Sequence, residues 1–170
     1  MSLPATWGVS AEEAGSRLPG DELAGEGWAR LLRGVDCAAP PERLWTWLGQ
    51  LRVAPYSYDL LDNLGRRSPR TLTPGLGPLA VGQRIHPVFE VAGLVPGRDL
   101  TIRGRPGGVM ADVVLGYAVR PAPAGSRLLG VVRHPRHPRP VDALLAWGDL
   151  VMMRKQLTTL ATLAMSAAGE

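Results

Sequence analysis

Residues 141–168, VDALLAWGDLVMMRKQLTTLATLAMSAA, decide the fold because they predict one long helix at the end of the chain. Apolar residues recur there at the three- and four-residue spacing of one helical face. They are Ala146, Leu150, Met153, Leu157, Leu160 and Ala164. The longest uncharged stretch, residues 156–169, is shorter than the roughly 20 apolar residues that a membrane span needs. We therefore expect a core helix and no membrane span.

Short strands precede this helix. The clearest one places Val113, Leu115, Tyr117 and Val119 on one face, in alternation with smaller or polar residues. Others are expected around residues 85–91 and 100–103, on either side of a turn, and a returning strand at residues 127–133. Because parallel strands need long crossover connections, these short links predict an antiparallel meander.

The first half of the chain predicts one strand and two short helices. The strand is expected at residues 29–38, although Arg33 interrupts its apolar face. A helix then opens at Pro41, since proline suits a first helical turn, and a second short helix is expected at residues 57–64.

The remaining segments are an N-terminal arm and a long loop. Residues 1–28 predict an arm, with a short helix at residues 11–16 because Ser10 and Glu13 have the capping-box spacing. Residues 66–82 predict a loop rich in proline, glycine and arginine. Loops of this length are usually functional or mobile, and the sequence leaves open whether this one acts as a lid.

This order of elements predicts an α+β domain with the helix-grip fold. In that fold a curved antiparallel sheet wraps around a long C-terminal helix, and two short helices follow the first strand. A curved sheet often does not close completely around one helix. We therefore expect a cavity between the sheet and the helix.

Four segments carry a family resemblance: AAPPERLWTWL at residues 38–48, YSYDLLDNL at 56–64, VGQRI at 81–85 and GDLVMMR at 148–154. They resemble the SRPBCC superfamily, which includes START-like and polyketide cyclase/dehydratase-like domains, and within it a bacterial branch. The resemblance implies a helix-grip domain at residues 29–170 with residues 1–28 packed on it. It implies little about function, because that superfamily holds carriers, enzymes and sensors on one scaffold.

The composition excludes several classes of protein. A chain of 170 residues with 45% hydrophobic and 20% charged residues is not disordered. The single cysteine, Cys37, excludes an internal disulfide and a thiolate zinc cluster. It suits a reducing compartment, and the first residues lack a secretory signal, so we expect a cytoplasmic protein. The formal net charge of +4 is too small to indicate a nucleic-acid partner.

Candidate ligand-binding residues are the aromatic, methionine and polar side chains that an apolar cavity would collect. They are Trp45, Tyr56, Tyr58, Asp59, Phe89, Met110, Tyr117, Trp147, Met153 and Leu157, with Met152 beside them. Ordinary core packing is the alternative for each apolar member. A buried tyrosine hydroxyl normally finds a partner, so Tyr117 would orient a ligand or contact the C-terminal helix. Asp59 is either a proton donor at the cavity mouth or an acidic residue of a first helical turn.

The other polar residues do not form a pattern typical of a metal site, a cofactor site or a nucleic-acid interface. His134 and His137 are separated by a proline and lack a nearby carboxylate, so no metal is expected, and His86 is expected on the outer surface. The arginine clusters lack the interleaved aromatics of RNA-binding proteins. Asp149 and Arg154 lie about 140° apart on a helix and are expected to contact different neighbours.

Three functions are compatible with these patterns. The first is binding of a small, largely apolar or amphipathic molecule in the internal cavity. The second is a polyketide cyclase/dehydratase-like enzyme acting on a carbonyl substrate, and the third is a protein-interaction domain without a ligand. The identity of the ligand, the existence of a reaction and the oligomeric state stay open at this point.

Overall fold

The computed structural model describes residues 3–58 and 67–166. The strands and α-helices found there are, in chain order, β1 (Thr6–Trp7), α1 (Ala11–Gly15), β2 (Ala29–Cys37), α2 (Pro41–Leu48), β3 (Arg84–Ile85), β4 (Phe89–Val95), β5 (Asp99–Gly104), β6 (Val114–Ala122), β7 (Gly125–His134) and α3 (Arg139–Ser166). Short 3-10 helices cover Asp21–Leu23 and Gly49–Arg52.

The seven strands form one sheet in the order β1-β2-β7-β6-β5-β4-β3. All neighbours pair antiparallel except β1, which runs parallel to β2 at the edge. The predicted meander is therefore confirmed, and β2 closes it by pairing with β7 over their whole lengths. The curved sheet carries α3 across its inner face, so the predicted α+β class and arrangement are confirmed.

The main core lies between the inner face of the sheet and the helices α2 and α3. All six residues of the predicted apolar stripe of α3 are buried, and Leu157, Leu160 and Ala164 are completely so. On α2, Leu44, Trp47 and Leu48 are buried as well. Packing of one helical stripe against one sheet face holds the two layers together.

The N-terminal arm packs on the outer face of the sheet. Leu18 joins Leu32, Leu129 and Val131 in a second, smaller apolar cluster. The predicted capping box is present: Glu13 N donates to Ser10 Oγ at 3.1 Å, and Ser10 N donates to a Glu13 carboxylate oxygen at 2.8 Å.

Charged contacts add to this packing, because the Glu13 carboxylate also accepts from Arg127 Nε on β7 at 2.7 Å. The Arg154 guanidinium of α3 stacks 4.9 Å above the ring of Trp7 on β1. The division of the chain at residue 28 stays a prediction, although these contacts agree with it.

Two local predictions, the second short helix and the strand at residues 85–91, have different outcomes. The second short helix, at residues 57–64, lies mostly outside the described residues, and the 3-10 helix Gly49–Arg52 is the short helix observed after α2. The single strand expected at residues 85–91 is divided into β3 and β4. His86 at the break has a φ of 57°, a left-handed conformation that a strand does not accommodate.

None of the helices in the described part of the chain has the length and apolarity needed to cross a bilayer.

Candidate functional site: a cavity between sheet and helix

A cavity of about 950 Å³ lies between the inner face of the sheet and the first half of α3. Strands β4 to β7 supply one wall and α3 supplies the opposite one, while the loop at residues 105–113 borders the mouth. The lining side chains are mostly apolar, and they include Leu31, Ile85, Val88, Phe89, Ile102, Val109, Met110, Val113, Leu115, Val132, Leu144, Leu145, Met152 and Met153.

The cavity exists because α3 contacts the sheet unevenly. The helix packs on β2, α2 and β7, and its completely buried residues, Leu157, Leu160 and Ala164, all lie in its second half. Gly130 allows a close approach, since an added Cβ would lie only 3.3 Å from Met153 Sδ. Nearer its start, the helix borders open space instead. Leu144 and Leu145 line the cavity there, yet their side chains stay 73% and 41% exposed. The space is thus closed by the core at one end and open beside the start of α3.

Tyr117 anchors a polar chain on the cavity wall. Its hydroxyl donates to Gln156 Oε1 at 2.7 Å, and Gln156 Nε2 donates to the Pro55 carbonyl oxygen at 2.7 Å. Burial raises the pKa of the Tyr117 hydroxyl, so the group is a neutral donor at physiological pH. Of the two partners expected for this hydroxyl, the structure gives the C-terminal helix.

A buried ion pair lies behind the same wall. Arg33 of β2 is fully buried, and its Nη2 lies 2.7 Å from Asp149 Oδ2 of α3. The guanidinium also donates to the carbonyl oxygens of Ala5, Leu32 and Ala146. The residue that interrupts the apolar face of β2 therefore fixes the arm, the strand and the helix to one another. Asp149 and Arg154 do contact different neighbours, as expected.

Asp149 lines the cavity and has an unusual ionisation. Burial raises the pKa of its carboxyl to about 6, although the positive charge of Arg33 opposes that rise. Desolvation likewise lowers the pKa of the Arg33 guanidinium. A carboxyl with a pKa this close to neutrality exchanges protons readily at physiological pH.

His134, at the end of β7, is a third buried titratable residue of the wall, beside Tyr117 and Asp149. Its Nδ1 lies 2.7 Å from the Pro135 carbonyl oxygen, which accepts only, so Nδ1 carries a proton and donates it. The ring stacks against His137 with the ring centroids 5.7 Å apart. Among the described residues, no donor contacts His134 Nε2.

The structure brings together four of the ten candidate residues: Phe89, Met110, Tyr117 and Met153 line the cavity. Five others lie away from the cavity wall: three of them are buried or partly buried, and two are exposed. Leu157 is buried in the main core, Tyr56 packs edge-on against Trp47 at 6.1 Å, and Trp45 is partly buried on α2. Asp59 lies outside the described residues.

The remaining two candidates face solvent. Tyr58 is 40% exposed and Trp147 is 51% exposed. The helical phase explains Trp147, because it follows the buried Ala146 by one residue and so points away from both the core and the cavity.

Several lining residues were not among the candidates. His86, expected on the outer surface, borders the cavity because its left-handed backbone turns the chain at the end of β3. Asp149, Gln156 and His134 line the cavity as well. Helical phase offered one signal for two of them, since Asp149 and Gln156 share the side of α3 that also carries Met152 and Met153.

No group of three or more histidine, cysteine, aspartate or glutamate residues suited to a metal ion occurs within residues 3–58 and 67–166.

Solved structures share this architecture. The protein NE0264 from Nitrosomonas europaea superposes with a TM-score of 0.57 at 13% identity, over 83% of this chain and 97% of that one. The chain has the helix-grip fold. The likeness shows the fold alone, and membership of the SRPBCC superfamily stays a prediction.

Two further structures that share this architecture come from biosynthetic systems. DynU16, a protein of the dynemicin biosynthetic locus, gives a TM-score of 0.52 at 20% identity over 81% of this chain. The di-domain ARO/CYC StfQ from the steffimycin biosynthetic pathway gives 0.51 at 11% identity over 84% of this chain. The matches cover 48% and 52% of those longer proteins. No protein-family model and no curated protein sequence matches this chain.

Proposed function

We propose that this protein binds a small, largely apolar molecule in the cavity between its sheet and α3. The observation that carries the proposal is the cavity itself, with a volume of about 950 Å³ and a mostly apolar lining. Ligand sites typically enclose about 300 to 1,000 Å³ and combine apolar walls with a few placed polar groups. Tyr117, Gln156 and Asp149 are such groups here.

The size of the cavity sets the expected affinity. A ligand that buries about 300 Å² of apolar surface gains about 7 kcal/mol. Association costs several kcal/mol, so we expect dissociation constants in the micromolar range, with tighter binding where polar groups contribute.

A pair of tryptophan substitutions tests this proposal. Nile red, a neutral dye that fluoresces in apolar surroundings, should bind the wild type and be displaced by naphthalene derivatives. Ala111→Trp places a large ring in the loop that borders the cavity, so we expect it to weaken dye binding at least tenfold. Ala124→Trp is the matched control, because Ala124 lies exposed in the turn between β6 and β7.

Absence of dye binding to the wild type would contradict the proposal. Equal binding by both tryptophan variants would contradict it as well, because a ring at the mouth cannot leave an occupied cavity unaffected.

A second candidate is a cyclase or dehydratase acting on an apolar carbonyl compound. Asp149 favours it, because its carboxyl has a pKa of about 6 on the cavity wall and can give or take a proton. Similarity in fold to the ARO/CYC StfQ points the same way. Under this reading Asp149 transfers the proton, and Tyr117 orients the substrate once its hydroxyl turns from Gln156 to the substrate carbonyl. The third possibility, an interaction domain without a ligand, has no comparable support.

The enzymatic candidate requires turnover of an aromatic polyketide-type ketone. We expect Asp149→Asn to reduce that turnover at least a hundredfold, within the usual range for a lost acid-base group. Turnover that is unchanged in Asp149→Asn and in Tyr117→Phe would exclude these roles. That result would leave the binding proposal intact, because dye binding is measured separately.

A further inference from the structure

Around Asp149, the side chains of Tyr117, Gln156 and Arg33 direct most of their donors to groups of the protein itself. Arg33 Nε, behind the wall, is the exception among these three, since it has no partner among the described residues. The Tyr117 hydroxyl donates its one hydrogen to Gln156, and Gln156 Nε2 donates to the Pro55 carbonyl. Arg33, which has the most donors nearby, donates to backbone carbonyls and pairs with Asp149 from behind the wall. A ligand therefore meets few free donors in this region.

Acceptors on the same wall are in the opposite situation. Two buried side-chain atoms of the lining lack a hydrogen-bond partner among the described residues, His134 Nε2 and Asp149 Oδ2. His134 Nδ1 carries the ring proton, so Nε2 of the neutral ring is an acceptor. Asp149 Oδ2 is compensated by the charge of Arg33, whose Nη2 lies 2.7 Å away as an ion pair. His134 Nε2 has no such partner among the described residues, and it is therefore the acceptor on which the inference mainly rests.

An unmatched buried acceptor is costly, because it has lost its water without gaining a donor. A ligand that brings a donor removes that cost, whereas one that brings only acceptors adds to it. An anionic ligand would also meet the carboxylate of Asp149 at the wall.

We infer that the ligand is a neutral, largely apolar compound carrying at least one hydroxyl or other hydrogen-bond donor, which the His134–Asp149 wall accepts. This inference rests on the proposed binding function and adds the polarity of the ligand to it. It separates hydroxylated compounds from fatty acids and from simple hydrocarbons.

Three probes of one shape test the inference: 2-naphthol, 2-methoxynaphthalene and 2-naphthoate, each titrated against the Nile red complex of the wild type. We expect 2-naphthol to bind about five- to tenfold more tightly than the ether, as one added hydrogen bond allows. The naphthoate should bind most weakly. The comparison is strict because the ether is the more apolar compound, so a purely apolar cavity predicts the reverse order.

Variants of the lining residues test which side chains cause the preference for 2-naphthol over the ether. His134→Leu and Asp149→Asn each alter one acceptor, and we expect each to reduce the preference for naphthol over the ether at least threefold. Trp47→Phe is the matched control: it removes a buried ring nitrogen that also lacks a partner, but in the core and away from the cavity lining. That variant should keep the preference.

A spectroscopic readout on the unmodified protein covers the case of a variant that fails to fold. The ¹⁵N resonance of His134 Nε2 should move when naphthol is added and stay in place when the ether is added. Equal shifts with both probes would overturn the inference.

The outcomes separate the two proposals. Equal affinity for the three probes, or tightest binding of the naphthoate, overturns the donor preference and leaves cavity binding intact. Failure of Nile red itself to bind overturns both.

Discussion

Gly148 offers the most specific test of how α3 borders the cavity. It lies in the interior of α3, lines the cavity and is exposed, and no heavy atom outside the local helix backbone lies within 4 Å of the position that a Cβ would take. Neither packing nor backbone conformation thus requires glycine. Glycine in a helix interior costs about 0.8–1.0 kcal/mol relative to alanine. The glycine keeps free the space between Leu144 and Met152, one turn away on either side.

Gly148→Ala should therefore raise the free energy of unfolding by about 1 kcal/mol, and the melting temperature by roughly 2–4 °C for a domain of this size. Its single methyl group should leave Nile red binding within about twofold. Gly148→Trp should keep part of the stability gain, because tryptophan is a better helix former than glycine, but weaken dye binding at least tenfold. Urea denaturation and dye titration measure both quantities. A tryptophan variant that folds and binds the dye normally would refute the placement of Gly148 beside the ligand.

Three further predictions concern the residues around the cavity. Because burial raises the pKa of Asp149 to about 6, the folded protein holds that proton more tightly than the unfolded chain, and stability should fall as pH rises from about 4 to 6. Asp149→Asn lacks this loss, so its unfolding free energy relative to wild type should increase by about 2 kcal/mol between pH 4 and pH 7; a constant difference would contradict the shift. Tyr117→Phe leaves Gln156 Oε1 without its donor and should lower the unfolding free energy by about 1–3 kcal/mol in urea titrations, whereas no change would mean that the bond is absent in solution. In Gly104→Ala, the added Cβ would lie 1.5 Å from the Met110 carbonyl oxygen, so thermal denaturation should show a loss of about 3 kcal/mol, and an unchanged melting temperature would show that the mouth loop lies elsewhere.

The fold could be predicted from local pattern because its main elements, α3 and β6 above all, have strong periodic signals. The stripe on α3 is apolar at every third or fourth residue, and all of it is buried. The predicted apolar face of β6 is buried in the same way, since Tyr117 and Val119 both belong to the main core. These are properties of one segment at a time, and the connections between the strands are short enough to fix their pairing.

The site was less predictable because it depends on residues that only the fold brings together. In the sequence, Arg33 only interrupts the apolar alternation of β2. Its role is visible in the structure, where Asp149 of α3 lies opposite it. Trp147 and Met153 are both apolar residues of one helix, and helical phase separates them because only Met153 lies in the apolar stripe. Which part of that stripe borders the cavity depends on how α3 crosses the sheet. Nothing in the sequence indicates that His134 lines a cavity, because its position there depends on the end of β7 lying beside the start of α3.

Residues 66–82 are a case where composition indicated a functional or mobile loop. The described part packs on the turn after α2, where Thr73 N donates to Gln50 Oε1 at 3.0 Å and Arg52 Nη2 donates to the Gly77 carbonyl oxygen at 2.8 Å. A role as a lid stays a prediction.

The central claim is that the space between the sheet and α3 admits a ligand, and methionine methyl NMR tests it most directly. Of the five methionines, Met110, Met152 and Met153 line the cavity, whereas Met165 lies near the far end of α3, away from it. With ¹³C-labelled methionine methyl groups and 2-naphthol as the titrant, the account predicts saturable shifts of the three cavity signals and none at Met165. Shifts confined to Met165, or no shifts at any of these four methyl groups, would contradict it.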